Sequence, residues 1–215
     1  MTTAKTRQEA AVEALREAIV DGVYAPGQRL GQQELARKYG CSVIPIREAL
    51  HQLAAEGFVV LNSQRGARVA VFDCRTLEEI FEVRMVLERI AAQRAAERMT
   101  PQAAERTRGI LKKMDRPDLS PAEWVYLDWE FHDSLCACAE QEFLRKTIST
   151  LRRQMAPYLR LDLAKVGTIE FGRREHRRIF RSCVRGDAEA AGRHTVAHLQ
   201  RTVQGFIKYI RGHSK

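Results

Sequence analysis

Residues 42–57 read S-V-I-P-I-R-E-A-L-H-Q-L-A-A-E-G. Ile46, Ala49, Leu50 and Leu53 recur at the spacing of one helical face, which marks them for burial. Ser42 stands where an N-cap belongs, with a hydroxyl suited to accept from a backbone N–H of the first turn. Pro45 falls within that turn, where a missing N–H matters little, and Gly57 is a natural stop. Arg47 lies off the buried face, near the start of the helix.

Upstream, Thr6 to Asp21 reads as a helix with an apolar stripe of Ala10, Ala14, Leu15, Ala18 and Ile19, closed by Gly22. Pro26-Gly27 forces a turn, and Gln28 to Leu30 suits a short strand. Gln32 to Tyr39 is a second short helix, with Leu35 and Ala36 inward and Gly40 at its end. Ser42 follows after almost no loop, which is helix-turn-helix geometry. In such motifs the early residues of the second helix reach base edges. Downstream, Phe58 to Leu61 and Ala67 to Val71 have strand character on either side of a turn-rich tip at 62–66. A hairpin after a helix-turn-helix makes a winged helix, and Arg65 and Arg68 flank its tip, suited to phosphate or a minor groove.

These residues carry a resemblance. Leu15-Arg16, Ile19, Gly22, Pro26-Gly27, Leu30, Glu34-Leu35-Ala36, Pro45, Arg47-Glu48-Ala49-Leu50, Leu53, Glu56-Gly57 and Arg65-Gly66 resemble the N-terminal domain of GntR-family bacterial transcription regulators. The resemblance implies that Ser42, Arg47 and the wing around Arg65, Gly66 and Arg68 touch DNA. This chain departs from the family pattern at Val43-Ile44, where members usually carry Arg-Thr, and at Gln33, often basic elsewhere. One bidentate arginine–guanine pair contributes roughly 1–3 kcal/mol of base discrimination. With Val43 and Ile44 at the DNA-facing positions, a different operator or weaker specificity is expected.

The charge supports placed contacts over bulk attraction. The 215-residue chain has a formal net charge of +9. Residues 1–75 hold ten Lys and Arg against eight Asp and Glu, a net of only +2, while residues 76–215 hold twenty-six against nineteen. A DNA-binding first domain of near-neutral charge must rely on particular side chains and helix N-termini. Cys41, Cys74, Cys136, Cys138 and Cys183 are odd in number and form no C-x-x-C, as expected of reduced thiols in a cytoplasm. Cys136 and Cys138, two apart, point in different directions on a helix and read as small packed thiols rather than a metal pair. No apolar run approaches the ~20 residues of a membrane span, so no membrane partner is expected.

Residues 76–215 read as an all-α bundle behind a winged-helix domain of residues 1–75. Thr76 to Glu79 matches a capping box opening a long helix, whose expected apolar face is Leu77, Ile80, Phe81, Val83, Met85, Leu87, Ile90 and Ala91. Thr100-Pro101 starts the next helix, running to about Met114, and Ser120 to Glu123 is a second capping box with Pro at N1. That helix carries Trp124, Leu127, Phe131 and Leu135. Further helices are expected from about Gln141 to Lys165 with a kink at Pro157, from Ile169 to Arg185 after a break at Gly167, and from Ala188 to about Arg211 after Gly186-Asp187. The basic run Arg173 to Arg185 reads as a solvated helix face, because Ile179, Phe180, Cys183 and Val184 define its buried side.

The bundle carries one chemical constellation. Asp128 and His132 are one turn apart and share a face; His176 and His198 lie on two later helices. One carboxylate and three imidazoles suit a divalent transition metal, though such residues on amphipathic helices are also often plain packing or surface groups. The motifs D-W-E-F-H at 128–132, E-H-R-R-I-F at 175–180, G-D-A-E-A-A at 186–191 and A-H-L at 197–199 resemble the effector-binding FCD domain of the FadR subgroup of GntR regulators. That resemblance implies that Asp128, His132, His176 and His198 hold a metal, zinc first with nickel or manganese open, that helps to bind a small organic acid. It also implies that Arg84 aims a guanidinium into the pocket toward that carboxylate, where an exposed helix arginine is the plain alternative. His194, one turn before His198, lies outside the family pattern and suits the pocket or the surroundings of the ligands.

The expected function is a ligand-responsive DNA-binding regulator, a repressor in sign, acting as a homodimer on a pseudo-palindromic operator. Two other readings fit the same residues. One is a metal-dependent hydrolase or lyase with an appended winged helix, which lacks an obvious general base since Glu130 points elsewhere. The other is a regulator with a purely structural metal.

Overall fold

The computed structural model describes residues 6–62, 66–163 and 168–213. They form two compact units, Met1–Val71 and Phe72–Lys215.

The first unit runs α1 (Arg7–Val20), β1 (Arg29–Leu30), α2 (Gln32–Lys38), α3 (Val43–Ala55), β2 (Val59–Asn62) and β3 (Gly66–Val69). Thr6 caps α1 in a full capping box with Glu9. The buried stripe of α1 is Ala11, Val12, Leu15 and Ile19, and the expected Ala10 is exposed. The buried face is rotated toward Ala11 and Val12, leaving Ala14 and Ala18 half-buried, because the larger Val12 has more apolar surface to bury than Ala10. Helix α3 buries Ile46, Ala49, Leu50 and Leu53 without remainder and stops at Gly57, whose φ of 78° is the left-handed conformation that glycine adopts freely. Ser42 is the N-cap by position, but its side chain makes no capping hydrogen bond, contrary to the expectation. The sheet order is β1-β3-β2, antiparallel throughout, with Leu30 opposite Ala67 and Val59 opposite Val69. Arg16 clamps Glu56 through Nε and Nη2 at 3.0 and 2.9 Å, joining α1 to the end of α3. Leu15-Arg16 and Glu56-Gly57 therefore hold α3 in place from behind.

The second unit is helical among the described residues: α4 (Cys74–Arg98), α5 (Pro101–Met114), α6 (Pro121–Cys138), α7 (Glu142–Leu163), α8 (Thr168–Val184) and α9 (Ala188–His213). Helix α4 opens three residues before the expected capping box. The Asp73 carboxylate accepts from Thr76 N at 2.7 Å and captures the helix start first. Its buried face also departs from expectation. Val83 and Ile90 are exposed, and Arg84 and Glu88 lie inside with Leu77, Phe81 and Ala91. The capping box of α6 at Ser120 and Glu123 forms as expected. Helix α7 runs through Pro157, while the expected break at Gly167 lies outside the described residues. Phe81, Phe206, Tyr158, Leu199 and Met155 pack α4, α7 and α9 together, and Tyr158 Oη accepts from Phe72 N at 2.7 Å. Arg173 and Arg177 of the basic run grip the end of α5, donating to Met114 O at 2.7 Å and to Asp115 Oδ1 at 2.5 Å. They are helix clasps, and Val184 of that helix is exposed rather than buried.

Candidate metal centre

Helix α6 supplies Asp128 and His132 one turn apart, α8 supplies His176 and α9 supplies His198. Each residue is buried and offers one ligand atom, and the four atoms lie within 4.8 Å of one another. Asp128 Oδ1 is 3.8 Å from His132 Nε2 and 3.2 Å from His176 Nε2. The imidazole centroids stand 4.9 to 5.2 Å apart. Atoms that ligate one zinc at up to ~2.2 Å stand at most about 4.4 Å from each other, so the set is close to the spacing an ion requires.

Packing fixes these rings. The Phe131 ring centroid is 4.5 Å from that of His176, and Trp124 stacks on His176 at 6.0 Å. A Cβ on Gly172 would fall 2.8 Å from Trp124, so α8 comes this near to α6 only because that position is glycine.

Polar partners fix the ligand atoms. Glu175 Oε2 lies 2.9 Å from His198 Nδ1, so the ring donates its Nδ1 proton there and keeps the Nε2 lone pair. Glu175 is itself paired with Arg201. Arg152 donates from Nη2 to Asp128 Oδ2 at 2.7 Å, leaving Oδ1 toward the imidazoles. Its Nη1 donates to Glu88 Oε2 at 2.8 Å, and Glu88 Oε1 accepts from Arg84 Nε at 2.8 Å. Burial alone would raise the Asp128 carboxyl, but Arg152 and the imidazoles outweigh it and hold Asp128 well below the usual carboxylate range. Glu88 is likewise held low by Arg84 and Arg152 against its burial. Burial, then Arg152, pushes His132 well below its ordinary value. Burial also lowers His176, with Asp128 offsetting part of the effect. Both rings are thus neutral near pH 7, the state that binds metals.

Three imidazole nitrogens test the fit to an ion. His132 Nε2, His176 Nε2 and His176 Nδ1 are buried without a hydrogen-bond partner. His176 Nε2 stands 3.2 Å from Asp128 Oδ1, the carboxylate oxygen with which it would share an ion. Buried polar atoms are rarely left unpaired, and an ion between these groups would satisfy two of the three. The donor set fits a divalent transition metal.

Other expected site residues fall elsewhere. Arg84 is buried, not exposed, but its guanidinium is engaged by Glu88 and lies over Phe81. His194 is half-buried and bonds Ser182 Oγ through Nδ1 at 3.0 Å, and it is outside the ligand group. In the first unit Ser42, Val43, Ile44, Arg47 and Gly66 are exposed. Arg68 is exposed and donates to Gly27 O at 2.9 Å, while Arg65 lies outside the described residues. Glu88, Arg152 and Glu175 are the groups that sequence reasoning missed. A signal existed for the first two. Glu88 shares helical spacing with Phe81, Arg84 and Ala91, and Arg152 with Ile148 and Met155, so each sits in a buried stripe.

Comparison with known proteins agrees with both halves. Residues 7–69 match the model of the gntR family of bacterial regulatory proteins, and residues 79–201 match that of the FCD domain. The Nta operon transcriptional regulator of Aminobacter aminovorans is 28% identical over 190 residues, covering 88% of this chain and 89% of that one. The transcriptional repressor RspR of Escherichia coli is 27% identical over 201 residues, covering 92% and 87%. The solved structure of Escherichia coli McbR/YncC superposes with a TM-score of 0.81 at 21% identity over 95% of this chain and 99% of that one, a likeness of fold. With a winged helix in front and an FCD domain behind, the chain belongs to the GntR family of bacterial regulatory proteins and is a DNA-binding transcription regulator, not an enzyme.

Proposed function

We infer that this regulator belongs to the FadR subgroup and responds to a small organic acid through a divalent metal held by Asp128, His132, His176 and His198. The observation that carries this is the cluster of four buried ligand atoms with unpartnered imidazole nitrogens. When bound, the ion supplies a Lewis-acidic centre to which an acid's carboxylate oxygen can attach. The chain's own groups do the rest. Glu175 holds the His198 tautomer, Arg152 turns Asp128, and the low proton affinity of His132 and His176 keeps their lone pairs available. Arg84 and His194 remain assigned to the acid rather than to the ion. Zinc suits three imidazoles and one carboxylate best, with nickel and manganese next.

The regulator acts as a homodimer on a two-fold operator in the cytoplasm and represses until the acid binds. The exposed stripe Val83, Val86 and Ile90 on α4 supports self-association. Pairing two copies of α4 antiparallel about the point between Val86 and Leu87 sets Val83 against the partner's Ile90, and the exposed Glu79 against the partner's Arg94. The acid shifts the dimer's population between operator-competent and incompetent arrangements, which requires it to prefer one of them.

Calorimetric titration of small carboxylates into metal-loaded full-length protein tests the effector site. His132→Ala is expected to weaken acid binding by at least about tenfold, with operator binding in the absence of acid near the wild-type level. Equal acid affinity in variant and wild type overturns the metal-assisted site.

A further inference from the structure

Helix α3 sorts its apolar side chains into two sets. Ile46, Ala49, Leu50 and Leu53 are 0% exposed, whereas Val43 and Ile44 are 39% and 59% exposed. The second pair is therefore not the margin of the core. At 100° per residue, Val43, Arg47, His51 and Ile44 share an arc of about 100° on the outward side, with Glu48 at its edge. All five are exposed. The first turn holds no acidic residue, and the Ser42 side chain makes no capping bond, so nothing there opposes a phosphate backbone.

We propose that Val43 and Ile44 read thymine methyl groups in the major groove. They would make this regulator prefer thymine at positions where an arginine in the same place would select guanine. This rests on α3 being the reading helix. The chemistry of base edges leaves few alternatives. The major-groove edges of guanine, adenine and cytosine present donors and acceptors and no alkyl group, and a branched alkyl side chain cannot satisfy those polar groups and would dehydrate them. The C5-methyl of thymine is the one alkyl group on offer. Two adjacent alkyl side chains at the helix start span one base step or two, with Arg47 one turn later left for a guanine or a phosphate. The near-neutral charge of the winged-helix domain fits such a reader, because its affinity depends less on ion release and more on contacts in the groove.

Replacing thymine by uracil removes the methyl and keeps the base pair, so it isolates the contact. Full-length protein is first used to select its operator from randomised duplexes. Binding is then measured on that operator with single thymine-to-uracil changes inside and outside the half-sites. Removing one contacted methyl is expected to weaken binding about fourfold, the transfer effect of one buried methylene-sized group. Changes outside the half-sites should have no effect. The double variant V43S/I44S, altered only at exposed positions and left with no methyl group there, is expected to fold as the wild type and to bind thymine and uracil operators equally. Equal binding of both operators by the wild type overturns the proposal, as does a variant that still tells them apart. Failure to select any sequence overturns the reading role of α3 itself, and is thereby distinguished from failure of the thymine contact.

Discussion

In the winged-helix unit the fully enclosed side chains are Leu15, Ile46, Ala49, Leu50 and Leu53; in the helical unit Phe81 and Phe131 share the interior with Arg84, Glu88, Asp128, His132, His176 and His198. Every buried polar or charged residue among the described ones lies in the helical unit. The two interiors serve different ends. The first holds α3 steady with Ser42, Val43, Ile44 and Arg47 on its outside, and an apolar core is the most direct way to fix a helix. The second encloses the candidate metal centre. It keeps two guanidiniums and two carboxylates dry, which stabilises the fold only if every partner stays in place. Three of its imidazole nitrogens, His132 Nε2 and both of His176, are buried without a hydrogen-bond partner.

The largest expected effect follows from breaking the charge network. Glu88→Ala leaves Arg84 and Arg152 without the carboxylate between them and should cost about 3–5 kcal/mol of stability in the helical unit. Trp124 and Trp129 are the chain's two tryptophans and both lie on α6, so fluorescence during urea unfolding reports that unit alone. Leu50→Ala should cost about 2–5 kcal/mol through a cavity in the winged-helix core and leave the tryptophan transition in place. If Leu50→Ala moves that transition as far as Glu88→Ala does, the two interiors are one cooperative system and the contrast fails.

A smaller pair of substitutions sharpens the comparison at helix starts. Asp73 bonds Thr76 N, so Asp73→Ala should lower the stability of the helical unit. Ser42→Ala should change stability by less than about 0.5 kcal/mol, because that hydroxyl caps nothing, and should weaken operator binding instead. Equal losses on denaturation would return Ser42 to a purely structural role.

The elements of both units are legible in the sequence wherever local chemistry is unopposed. Pro26-Gly27, Gly57, Ser120 with Glu123, and Thr100-Pro101 each specify a turn, stop or start from a few neighbouring residues, and the chain obeys them. The failures occur where two local signals compete or where tertiary packing decides. Asp73 and Thr76 both offer caps, and the earlier one gains a further turn of helix. Val83 and Ile90 fit an apolar stripe as well as Arg84 and Glu88 fit a surface pair, and the bundle reverses them because the guanidinium and carboxylates complete one network with Arg152. The ligand positions come from a resemblance in motif, since residues 44 or more apart, such as His132 and His176, reveal no proximity by spacing. The partners that orient them, Arg152 and Glu175, require the packed helices to be found at all.

Metal binding to the helical unit tests the central claim most directly. Full-length wild type and His176→Ala are stripped with chelator, titrated with zinc, and melted while tryptophan emission is followed. The wild type is expected to take one ion per chain and to gain stability as the free ion rises, by about 2.7 kcal/mol at a hundredfold excess over its dissociation constant. His176→Ala should bind far more weakly and gain little. No bound ion in the wild type, or an equal gain in the variant, would contradict the metal centre.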